Sequence, residues 1–94
     1  MSAAPEIVLN SVEDAREYVL DQLNEAIRAR DNRFGELRFL QEKDREAKAD
    51  AEECIKAINS LFKLLENTDD FDAAKQLAEF VGFQLLPLVK RLCL

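Results

Sequence analysis

Residues 71–94 read FDAAKQLAEFVGFQLLPLVKRLCL, and this stretch decides the fold. Phe71, Ala74, Ala78, Val81, Leu85, Leu88 and Leu92 recur in alternating steps of three and four, the spacing of a helical seam. Leu77, Phe80, Phe83, Leu86 and Val89 widen that stripe until little polar face is left. A helix that is apolar nearly all round has to be covered by protein. With a proline and a charge pair in its last third, the apolar tract is too short to span a bilayer. It also lacks the broad basic face of a helix that lies in a membrane surface. Pro87 removes one backbone donor, so a kink or a restart of the helix near Leu86 is expected.

Upstream, Asn67–Asp70 is the clearest boundary. Asn67 suits a left-handed helix end, Thr68 or Asp69 can cap the next helix, and Asp72 adds a favourable charge to its first turn. Before it, Cys54, Ile55, Ile58, Leu61, Phe62 and Leu65 form a strong helical stripe, preceded by a polar stretch, 41–53, whose apolar members are alanines. Phe34, Leu37 and Leu40 begin the stripe, so a helix over about 36–66 is expected, some 45 Å long at 1.5 Å per residue. Its polar middle must face solvent, cross another chain through its alanines, or be a docking surface.

The first helix should start at Ser11, with Glu13 and Asp14 in its first turn, and carry Val12, Ala15, Val19, Leu23, Ala26 and Ile27 inward. Around Asp31, Asn32 and Gly35 two readings compete. Either Arg30–Gly35 is a tight turn, or the helix runs on, weakened at Gly35 by about 1 kcal/mol relative to Ala. The turn is favoured. Residues 1–10 form an arm whose Ile7, Val8 and Leu9 can dock in extended form.

The expected architecture is therefore all-α: an antiparallel helical hairpin or three-helix bundle with a long central helix and a kinked hydrophobic C-terminal helix. One domain over 11–94 holds helices at about 11–30, 36–66 and 69–93. A chain of 94 residues has a thin stability margin, and the greasy last helix favours a closed homo-oligomer. The self-association residues would be Phe71, Ala74, Ala78, Val81, Phe83, Leu85, Leu88 and Leu92, with Phe71, Phe80 and Phe83 as anchors.

Composition narrows the function. A net charge of −6 disfavours direct binding to nucleic-acid phosphates or anionic lipid, and makes a larger, basic protein the easier partner. The two cysteines, Cys54 and Cys93, and the lack of a secretory-type start imply a reducing, cytoplasmic setting with free thiols. With no histidine, the commonest general base and an imidazole metal ligand are both missing. Ser11, Ser60 and Thr68 sit in no nucleophile or phosphate-loop motif, and Asp69, Asp70 and Asp72 lack the glycine and closing glutamate of a calcium loop. No enzyme, cofactor or metal is expected.

Two acidic rows stand out at helical spacing: Glu13, Glu17, Asp21 and Glu25 in steps of four, then Glu42, Glu46, Asp50 and Glu53 in steps of four, four and three. Neighbouring carboxylates in such a row lie about 6 Å apart. The plain reading is a solvated face, offset by Arg16, Arg28, Arg45 and Lys48. The sharper one is a surface that imitates nucleic acid and blocks a basic groove, as small virus-encoded antagonists of nucleases do. Arg28, Arg30, Arg33 and Arg38 form a basic cluster. It can grip a phosphate or carboxylate, or simply offset a helix C-terminus, with Arg33 and Arg38 paired to Asp31, Glu36 or Glu42. The leading expectation is a non-enzymatic adaptor or inhibitor that acts as an oligomer. A nucleic-acid mimic and a structural subunit of a larger assembly are the alternatives.

Overall fold

The computed structural model describes residues 7–35 and 41–94. They form α1 (Val12–Phe34), α2 (Glu42–Glu66), α3 (Phe71–Phe80) and α4 (Leu86–Leu92), with a single π-helical turn, Val81–Leu85, joining the last two. The fold is an all-α bundle in which α1, α2 and the α3–α4 segment pack against one another. Its Cα extents are 44 × 37 × 16 Å, a thin body in which every helix keeps one face to solvent.

Ser11 caps α1 as its sequence position implies. Its hydroxyl accepts from the Asp14 N–H at 3.1 Å, and Asp14 returns the favour by accepting from the Asn10 N–H at 3.0 Å. Ala15, Val19, Leu23 and Ala26 then turn inward at helical spacing. Opposite them lie Ala51, Ile55, Ile58 and Leu65 of α2, with Ala74, Ala78, Val81, Leu86 and Val89 of the last segment. Burial of this set supplies the driving force, at roughly 25 cal/mol per Å² of apolar surface. Leu9 of the arm packs against it.

Three features differ from the sequence expectation. The helix does not turn at Arg30–Gly35; α1 continues to Phe34, which is buried. The described part of α2 begins at Glu42, and the expected start of the second helix at 36 lies outside the described residues. What holds the extra turn is tertiary. Arg33 donates to the Leu94 carbonyl at 3.2 Å and to Asp44 at 3.4 Å, and its guanidinium lies 5.3 Å from the Phe34 ring centre.

At 23 and 25 residues, α1 and α2 are nearly equal in length and pack against each other, whereas the sequence implies a second helix much longer than the first. The alanines of the polar stretch accordingly split: Ala51 is fully buried within the chain, Ala47 half-buried and Ala49 exposed.

Asn67 closes α2 with φ −107°, not in the left-handed region, and its amide donates to the Lys63 carbonyl at 3.2 Å. The cap of α3 is neither Thr68 nor Asp69 but Asp70, which accepts from the Asp72 N–H at 3.0 Å. Thr68 turns back instead, its hydroxyl donating to the Leu64 carbonyl at 2.7 Å.

As expected beside Pro87, the α-helix restarts at Leu86, and a π-helical turn bridges it to α3. In a regular α-helix the ring would meet the carbonyl four residues back, that of Phe83. Here the preceding turn widens, so that the Leu86 N–H donates to the Val81 carbonyl, five residues back.

Candidate interaction surfaces

Folding treats the two acidic rows differently. On α1, Glu13, Glu17 and Asp21 are exposed, whereas Glu25 is half-buried. Glu25 meets Lys90 Nζ at 2.6 Å and ties α1 to α4, which takes it out of the row expected for a partner. Glu13 lies 3.9 Å from Arg16. On α2, Glu42, Glu46, Asp50 and Glu53 are all exposed. Glu53 has a partner in Lys56 at 3.6 Å, an exposed pair worth about 0.2–1 kcal/mol at most. Lys43 and Arg45 are exposed between these carboxylates, and Lys48 is half-buried among them. The α2 face is therefore mixed in sign with an acidic excess.

Two arginines of the basic cluster are engaged within the chain. Arg30 pairs with Asp31 at 3.0 Å. Among the described residues Arg33 is tied to Asp44 and Leu94 rather than to Asp31 or Glu42, and Glu36 lies outside them. Arg28 is exposed, and Arg38 lies outside the described residues. Together Arg30 and Arg33 serve the closing turn of α1, where a cation also complements the helix dipole.

The residues expected to join copies of the chain divide in three. Ala74, Ala78 and Val81 are fully buried inside the single chain and belong to its core, a correction to their expected role. Phe71, Leu85 and Leu92 are half-buried. Phe83 and Leu88 remain outside at 49% and 37% exposure, joined by Phe80 at 48%. The direction of a stripe this wide cannot be read from periodicity, because the helix has too many apolar residues to define one inner face.

Two arrangements escape the sequence reading. The first is Arg16, which reaches from α1 across the end of α2. Its guanidinium donates to the carbonyls of Leu65 at 2.9 Å, Glu66 at 3.3 Å and Thr68 at 3.1 Å, joining the Thr68 N–H, 3.2 Å from the Leu65 carbonyl, in closing the end of α2. The second is a cleft of about 450 Å³ between the arm, α1 and α4, walled by Val8, Tyr18, Gln22, Phe83 and Pro87. Burial and the nearby Glu25 raise the pKa of the Tyr18 phenol there. Gly82 forms part of the wall because a Cβ at this position would run into the Tyr18 hydroxyl and stand 2.9 Å from Tyr18 Cζ. A glycine inside an apolar helical run is the one sequence signal for such a close approach.

Gly82→Ala is accordingly expected to destabilise the fold. An alanine ordinarily improves a helix by about 1 kcal/mol over glycine, but overpacking costs about 1–3 kcal/mol. The balance is a net loss near 1 kcal/mol, measured by chemical denaturation. In a Tyr18→Leu background the same change should become stabilising. Equal effects in both backgrounds would show that Tyr18 is not the obstacle.

Both cysteines are free and half-buried. Burial pushes the Cys54 thiol pKa up, and Asp50 and Glu53 push it further. Burial also raises that of Cys93, against the opposing pull of Arg33 and Arg30. Neither thiol has the lowered pKa of a reactive cysteine. Among the described residues no group of cysteine and carboxylate side chains is placed to hold a metal ion. Nor is any described helix long and apolar enough to cross a membrane. No protein-family model, no curated protein and no solved structure matches the chain.

Proposed function

We propose that this chain is a non-enzymatic helical binding protein, an adaptor or inhibitor, that acts as an oligomer in a reducing, cytoplasmic setting. Its partner is a larger, basic protein, met through the acidic outer faces of α1 and α2. The observation that carries this reading is the α2 row: Glu42, Glu46, Asp50 and Glu53 all stay exposed after the apolar residues have been used in packing. Glu17 and Asp21 extend the acidic surface on α1.

Imitation of nucleic acid is the second reading, favoured by the regular spacing of those carboxylates. The interleaved Lys43, Arg45 and Lys48 count against it, since a phosphate backbone offers no alternating positive charge. Mixed charges are how protein surfaces set register and exclude wrong partners.

The test is affinity capture from the native host with the wild-type chain and with the Glu46→Lys, Asp50→Lys double variant. Reversal is expected to weaken the captured partner's binding by about tenfold or more, with a steep dependence on salt. A partner held equally well by both proteins, at low and high salt alike, would remove the reading. Displacement of the partner by duplex DNA would favour mimicry over the adaptor.

A further inference from the structure

We propose that the outer face of the α3–α4 segment is a two-fold interface with a second copy of this chain, the two segments lying antiparallel. The inference deepens the oligomeric part of the proposed function and rests on it. Ala74, Ala78, Val81, Leu86 and Val89 point inward, so the opposite side of the segment is the one left open. Along it run Asp72, Gln76, Phe80, Phe83, Leu88 and Arg91, all exposed. Two half-exposed phenylalanines and a leucine form the centre of this stripe, one carboxylate marks its start and one guanidinium its end.

That charge order selects the occupant and its direction. Among the described residues neither Asp72 nor Arg91 makes an ion pair within the chain. A second copy laid parallel would put Asp72 on Asp72 and Arg91 on Arg91. Laid antiparallel about an axis between Val81 and Gly82, it puts Arg91 of each copy opposite Asp72 of the other. The same register sets Phe80 opposite Phe83 twice and brings the stem of Lys75 over Leu88. This is the self-complementarity an isologous contact requires, and it places aromatic anchors at the centre and charges at the rim. It also sets the two helix dipoles in opposition.

Sedimentation equilibrium of the full chain over a concentration series tests the proposal, with circular dichroism to confirm that each variant stays helical. The wild type is expected to be a dimer. Phe83→Asp should raise the dissociation constant by about thirtyfold or more, and Leu88→Asp replaces it if the first variant loses its helicity. Arg91→Asp and Asp72→Arg should each weaken the dimer by about tenfold, and the two together should restore it. A wild type that stays monomeric at every concentration overturns both this interface and the oligomeric reading. An oligomer indifferent to Phe83→Asp, Leu88→Asp and Arg91→Asp overturns this interface alone. Weakening by both single charge reversals without recovery in the double variant overturns the antiparallel register.

Discussion

Arg16→Ala is expected to lower the stability of the folded chain by about 2 kcal/mol and to loosen the junction between α2 and α3 first. The guanidinium holds three main-chain carbonyls at once, those of Leu65, Glu66 and Thr68. A hydrogen bond to a charged group contributes about 1.5–3 kcal/mol when well shielded. Here Glu66 is exposed and Thr68 half-buried, so water replaces part of what is lost and the total stays near the low end. Leu65 is fully buried, and its carbonyl accepts at the shortest of the three distances, 2.9 Å. Arg16→Lys should recover little, because an ammonium point charge cannot reproduce a planar fork that reaches three acceptors. Denaturant unfolding gives the magnitude, and amide exchange gives the location. Faster exchange confined to the end of α2 and the start of α3 is the expected pattern; uniform acceleration throughout the chain would refute the capping role.

The larger loss is expected from Ile58→Ala, about 2–5 kcal/mol. Ile58 has no solvent exposure and lies in the core shared by all three packed segments. Truncation removes its transfer free energy and leaves a cavity in a core whose other members, Val19 and Val89 among them, are themselves fully buried and cannot collapse to fill it without cost. For a domain of this size the midpoint of thermal unfolding should fall by roughly 10–30 °C. Total stabilities of about 5–15 kcal/mol make that a large fraction of what holds the fold together. Leu64→Ala is the internal control. Leu64 sits on the same helix but is 57% exposed, so its truncation should stay within about 0.5 kcal/mol. Comparable losses at Leu64 and Ile58 would mean that the register of α2 is wrong.

Much of the framework is legible in the residues. Ser11 caps α1 because a hydroxyl next to a free helix end acts locally, within three residues. The inward set of α1 (Ala15, Val19, Leu23 and Ala26) follows from spacing alone, since on that helix the apolar stripe is narrow enough to point one way. The exposed α2 row is also readable, because carboxylates three or four apart share a face and charged side chains are rarely fully buried.

The failures share a cause. Asp31–Phe34 is helical because Arg33 meets Asp44 and Leu94, residues 11 and 61 positions away, and because Phe34 is buried; turn chemistry read within six residues contains neither fact. Asn67 needs no left-handed turn, since Arg16 on another helix, 49–52 positions earlier than its acceptors, already donates to the carbonyls on either side of it. Ala74, Ala78 and Val81 proved to be core, while Phe80 and Phe83 stayed outside. Small side chains let helices approach closely, so the last segment turns its alanines to its neighbours and leaves its larger rings at the surface.

Sequence by itself determined that this chain is helical, where its polar rows lie and how its first helix begins, because each of these depends on side chains a turn or less apart. Tertiary structure alone decided where α1 stops, what closes α2 and which side of the last segment faces the core. Those choices are settled by contacts between residues dozens of positions apart, and a stripe wider than half a helix carries no local information about which of its sides will be covered.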